Sequence, residues 1–137
     1  VSPGKSKMCF FWKFYSEEFL EFCMSTYQDK FKATLVGKAG QKTVTDVWVD
    51  ALCPHDCGGK NPCQPGSADC KCGMKWETLT PADVSFDKGG VYMTPWVEDC
   101  ADIKAFEGKR VNLKFFTTDT GDSIYDSAVL IDEVTIK

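Results

Sequence analysis

The sequence predicts an all-β fold, an antiparallel β-sandwich in a single domain over residues 1–137. Three observations carry this prediction. Runs rich in Val, Ile, Thr and aromatic residues recur with Gly, Pro, Asn and Asp between them; this is the composition of half-buried strands bounded by turns. No long window repeats its apolar residues at the helical period. Ten Phe, four Trp and four Tyr supply flat side chains suited to pleated surfaces.

The elements follow in chain order. Cys9–Tyr15 is an aromatic strand with Phe10, Phe11, Trp12, Phe14 and Tyr15 on both of its faces. It reads as a strand buried between two layers, with a sugar-stacking or protein-binding face as the functional alternative. Ser16–Met24 sets Ser16, Glu17 and Glu18 before Phe19, Leu20 and Phe22, which predicts a short helix or turn. Phe31–Val36 alternates apolar with polar residues and ends at Gly37, and Lys42–Val49 is rich in β-branched residues. Gly89 and Gly90 open a strand at Val91–Thr94 that Pro95 ends. Asp102–Phe106 is expected to form a single turn before Gly108. Val111–Thr118 and Ala128–Ile136 are the clearest strands. Trp48, Trp76 and Trp96 are scattered and define no platform.

Eight cysteines stand at Cys9, Cys23, Cys53, Cys57, Cys63, Cys70, Cys72 and Cys100. Their even number predicts disulfides and therefore an oxidising, extracellular compartment. Zinc is the alternative, but Cys70–Cys72 is too tight for a second knuckle, and His55 is the sole histidine. Five of the eight fall between Cys53 and Cys72. If all pair within the chain, at least one bridge must leave that cluster for Cys9, Cys23 or Cys100. The surrounding Leu52–Gly73 also holds three Pro and four Gly, so it should be an irregular loop stapled by cross-links.

The net charge is −4 and no basic run exceeds two neighbours, which argues against nucleic acid and anionic membrane as partners. No apolar run approaches the roughly 18–20 residues of a membrane span. A chain that begins at Val1 reads as processed or cut from a longer one. Enzymatic chemistry has little to build on. A Ser-His-Asp or Cys-His machine would depend on His55 alone, and paired cysteines leave no thiolate nucleophile. Glu17, Glu18 and Glu21 mimic a glycosidase pair only loosely, because acidic residues in a turn are usually solvated or metal-bound. No phosphate-binding glycine loop is present. The expectation is a non-catalytic protein.

Three segments carry a resemblance. Asp102–Phe115 resembles the "DLSAYAGKTVTLRF" stretch of galactose-binding-like jelly rolls. Asp119–Asp132 is similar to the C-terminal motif of bacterial choice-of-anchor surface domains. Phe14–Phe22 with Tyr27–Phe31 looks like the opening of that same family, with Gln28 where the pattern has Asn. The resemblance implies an extracellular jelly-roll module of an adhesin-like surface protein, with a glycan or a surface protein as ligand. Leu52–Gly73 is not part of the pattern.

The last strand poses a physical question. By period-two alternation Ala128, Leu130, Asp132, Val134 and Ile136 share one face, apolar except for Asp132. A carboxylate on a buried face is costly unless paired or bound to a cation. Ca²⁺ takes six to eight oxygens, and Glu17, Glu18, Asp29, Asp119, Asp122 and Asp126 offer more of them. The resemblance implies a structural calcium joining Glu17 and Asp29 to Asp132, with Asp122 and Asp126 in reserve. The alternative is that Asp132 faces solvent or accepts backbone N–H groups. The spacing of Asp119–Asp132 is not that of an EF-hand.

Two functions from different classes remain. One is an adhesion or ligand-binding module. The other is a structural subunit of an extracellular filament, a homo-oligomer assembled by strand exchange. In that case the polar Val1–Met8 arm is expected to pair with a neighbour's sheet edge; a frayed terminus is the alternative.

Overall fold

Strand β1 (Lys7–Ser16) is the element around which the others assemble. The computed structural model describes residues 1–18, 22–23, 25–53, 80–121 and 124–137. Its other strands are β2 (Lys30–Gly37), β3 (Gly40–Trp48), β4 (Thr80–Pro81), β5 (Tyr92–Met93), β6 (Val97–Asp102), β7 (Val111–Thr118) and β8 (Ser127–Ile136). One helical turn, α1 (Val49–Leu52), and a 3-10 turn at Lys104–Phe106 complete the described elements. The 3-10 turn is the one expected before Gly108, which takes φ +71°.

Two antiparallel sheets result. β8 pairs one side of β1, while β6 and then β5 pair the other, with β4 outside β5. The second sheet has the order β3-β2-β7. Alternation along β1 sends Met8, Phe10, Trp12 and Phe14 into the core and leaves Phe11, Lys13 and Tyr15 outside. Phe31, Ala33 and Leu35 of β2 meet them from the other sheet. Trp12 lies 5.5 Å from Phe31, and Phe10 packs edge-on to Phe115 of β7 at 5.2 Å. Burial of each such ring is worth about 2–3 kcal/mol, so this aromatic column dominates the core.

A polar bolt crosses between the layers. The Trp12 indole N–H donates to Asp99 Oδ2 at 2.8 Å, and the Thr45 hydroxyl donates to the same oxygen at 2.6 Å. Asp99 on β6 thereby satisfies a buried indole and ties β6 to β3.

Disulfides join Cys9 to Cys100 and Cys23 to Cys53. The first staples two residues that already face each other on β1 and β6. The second is a bridge out of the cysteine cluster, and it fastens the turn at Phe22–Cys23 to the end of α1. Cys57, Cys63, Cys70 and Cys72 lie outside the described residues, as do His55, Trp76, Asp122 and most of the loop.

The structure corrects three expectations. β6 is an added strand: Glu98, Asp99 and Asp102 give it no apolar alternation, yet it pairs β1 along six residues. The strand expected at Val91–Thr94 shrinks to Tyr92–Met93. β8 does not present one continuous face. Cys9 pairs with Thr135 but Phe11 with Asp132, so Glu133 and Val134 together oppose Phe10 in a β-bulge. Glu133 adopts φ +48° there. The extra residue reverses the phase. Ala128, Leu130 and Asp132 lie outside beside Phe11 and Lys13, whereas Val134 and Ile136 turn toward the gap between the sheets.

Candidate ligand-binding site

Pro95 creates the most distinctive feature of the outer face. It has no N–H to extend the ladder, so β5 stops before it and β6 resumes after it. Thr94 repairs the gap. Its hydroxyl accepts the Phe14 N–H at 3.0 Å, and its own N–H donates to the Phe14 carbonyl at 3.0 Å. Trp96 follows directly and projects outward, 43% exposed.

Trp96, Phe11, Asp132 and Glu133 line one cleft of about 220 Å³. The bulge is what assembles it, because the turn at Glu133 brings two consecutive carboxylates to the cleft instead of one. The Asp132 carboxylate accepts the Glu133 N–H at 2.8 Å, which fixes the bulge from within. Lys13 Nζ stands 5.4 Å from the centre of the Trp96 ring, within cation–π range. Indole and phenyl faces beside two carboxylates and an ammonium offer stacking and hydrogen bonding at once.

The acidic turn has a different character. Glu17 is buried, and its Oε1 accepts N–H groups from Lys88 and Gly89, both at 2.9 Å. Its Oε2 accepts the Asp126 N–H at 2.9 Å. Burial alone would raise this carboxyl's pKa. The N–H groups of Asp126, Lys88 and Gly89, with the Lys88 ammonium, outweigh that and hold it below the ordinary glutamate value. Glu18 is likewise buried and accepts the Asp29 N–H at 3.0 Å, while Asp29 Oδ1 accepts the Thr120 N–H at 3.0 Å. Gly121 closes this corner at φ +106°, and a Cβ there would stand 2.8 Å from the Tyr27 ring.

Among known proteins, no family model, no curated protein and no solved structure matches this chain. The resemblance to surface jelly rolls is therefore carried by its motifs alone.

The residues expected to share a cation do not meet at one point: Asp126 belongs to two acidic groups and Asp132 to neither. Glu17 gathers with Asp87 and Asp126, their ligand atoms within 4.8 Å of one another. Backbone donors already satisfy Glu17, so it needs no ion. Asp29, Asp119 and Asp126 line a polar cavity of about 220 Å³ with the hydroxyl-bearing Thr117, Thr118 and Ser127. Their carboxylates do not gather within 4.8 Å of one another as those of Glu17, Asp87 and Asp126 do, so the cavity is polar without being a formed cation site. Asp132 stands apart: it is exposed, and six residues of extended strand put it about 20 Å from Asp126. Asp132 shares an outward face with Ala128 and Leu130, and the bulge removes Val134 and Ile136 from that face, so no buried carboxylate there calls for a cation. Trp96 and Glu133 are the site residues that sequence reasoning passed over. The one signal for Trp96 was Pro95, which ends one strand and leaves a tryptophan at the start of the next, and nothing in the sequence marked Glu133.

Proposed function

We propose that this protein is an extracellular, non-catalytic surface module of jelly-roll type that binds a glycan in the cleft of Trp96, Phe11, Asp132 and Glu133. The single observation behind this is the exposed indole set beside two carboxylates on an otherwise ordered sheet face. Aromatic rings take the C–H face of a sugar, and carboxylates accept its hydroxyl protons. The paired cysteines favour an oxidising compartment. Among the described residues no helix is long and apolar enough to cross a membrane. A stabilising Ca²⁺ would lie around Asp126, which belongs to both acidic groups, rather than at Asp132. A melt in millimolar calcium against EGTA, repeated with Asp126→Asn, tests that assignment. Titration of neutral oligosaccharides against Trp fluorescence tests the cleft. Trp96→Ala and Asp132→Asn should each weaken binding at least tenfold with unchanged circular dichroism, and unaltered affinity in both would refute the site.

A second function, a filament subunit, is favoured by the sheet edges. β7 and β8 each pair on one side only among the described residues. The N-terminal arm has a receiving site on its own chain: the Val1 ammonium donates to the Lys109 carbonyl at 2.8 Å, and the Gly108 N–H donates to the Val1 carbonyl at 2.9 Å. Exchange between copies would reuse these contacts. Removing Val1–Lys7 should then abolish polymers, and polymers that persist would exclude the arm.

A further inference from the structure

The outer face of the three-stranded sheet carries the opposite charge to the Trp96 cleft. β2 sends Phe31 and Ala33 inward, so Lys30 and Lys32 point outward from the central strand. The register sets Lys30 between Trp48 of β3 and Thr118 of β7, and Lys32 between Asp46 and Phe116. Lys114 follows in the next row, beside Thr34. Trp48 and Phe116 are 42% and 49% exposed, which is unusual for large rings with a core available on the other side of the same sheet. None of the three lysines makes an ion pair among the described residues, where Lys88–Asp87 is the only one. A groove of about 430 Å³ runs over this face, with Lys30, Lys32, Phe116 and the Thr34 and Thr118 positions along it.

We infer that this face is a second binding surface, one for an acidic polysaccharide that carries its charge as uronate carboxylates. It is independent of the Trp96 cleft and lies on the other sheet. Strand spacing and rise put the Cα atoms of Trp48 and Phe116 about 12 Å apart across the lysine column, a span that suits an oligosaccharide rather than one ring. The rings supply stacking, and the lysines supply point charges for carboxylates between them. The charge must be sparse. The whole chain is at −4, and Asp46 sits within the patch. Duplex DNA, with one charge per roughly 1.7 Å, meets far more repulsion than a chain with one carboxylate per ring.

The experiment titrates oligogalacturonate into the full chain in 50 mM salt and reads Trp fluorescence, with neutral dextran, heparin and single-stranded oligo-dT as comparison probes. Oligogalacturonate should bind. Lys32→Glu and Trp48→Ala should each weaken it at least tenfold, Trp96→Ala should leave it unchanged, and 0.5 M salt should remove most of it. Trp48 is 42% exposed and Lys32 is partly exposed on the outer face of a formed sheet, and circular dichroism checks that each variant remains folded. Four outcomes would overturn the inference. One is no oligogalacturonate binding, and another is binding insensitive to Lys32→Glu. A third is heparin or oligo-dT binding tighter than oligogalacturonate, which marks a general polyanion patch. The last is ligand-free self-association that Lys32→Glu abolishes, which marks an interface between copies.

Discussion

Glu17 shows how a buried charge becomes a structural joint. Three backbone N–H groups from two separate loops converge on its carboxylate, so its ionisation is linked to folding. The folded carboxyl is more acidic than the unfolded one. Its contribution is therefore complete above the ordinary value of 4.5 and is lost as the pH falls through the lower folded value. Gln at this position would turn an –NH₂ toward a backbone donor. Glu17→Gln should cost about 2 kcal/mol at pH 7, with the gap to wild type narrowing at pH 3. Thermal melts at the two pH values check this, and an equal gap at both would refute the linkage. Glu133 makes the converse case. A non-glycine residue in the left-handed region costs about 1–2 kcal/mol, and strain of that kind persists where geometry is needed. Glu133→Gly should raise the melting temperature slightly while weakening glycan binding at the cleft. A variant that binds as well as wild type would show that the strained carboxylate has no role in recognition.

Among the elements, the two disulfides differ in what they constrain. Cys9–Cys100 closes a sequence separation of 91, and Cys23–Cys53 one of 30. On chain entropy alone these are worth about 4.6 and 3.6 kcal/mol. The double variant Cys9→Ala/Cys100→Ala should thus destabilise more than Cys23→Ala/Cys53→Ala, measured by denaturant midpoint. The reverse order would mean that anchoring α1 outweighs loop closure. How far these elements could be read from sequence depends on what sets each one. β7 was legible to the residue, because Val111–Thr118 is β-branched and aromatic and flanked by turn residues. β1, β2, β3 and β8 were legible to within two residues for the same reason. β6 was not, since a strand with Glu98, Asp99 and Asp102 is held by pairing to β1 and by Asp99's bonds rather than by an apolar face. The bulge was not legible either. No glycine marks it, so strict alternation put Val134 and Ile136 on the face of Asp132, made that face look buried, and carried the metal assignment with it. Of the expected metal set, Asp29 and Asp126 do share a cavity, because the turn at Gly121 and the start of β8 close on the same corner.

At the scale of the molecule, one side of the sandwich is open. β7 lies over β8 there, and the inward-turned Val134 and Ile136 remain 53% and 45% exposed. Edges of this kind template association. Val134→Lys places a charge on that edge at little cost to stability, and it should reduce self-association seen by sedimentation at high concentration. Unchanged sedimentation would show that the edge is inert. The central position of β1 has a further consequence, for how the chain is made. Its partners arrive late: Cys9 waits for Cys100, 91 residues on, which at 5–20 residues per second is about 5–18 s of synthesis. During that interval the most aromatic segment has no strand to pair with. The first thiol to emerge after Cys9 is Cys23, which in the finished fold belongs to Cys53. Oxidation that kept pace with chain emergence would therefore join the wrong pair first. Recovery of the native pairing then depends on thiol–disulfide exchange, so a cell that makes this protein in quantity needs an isomerase as much as an oxidant.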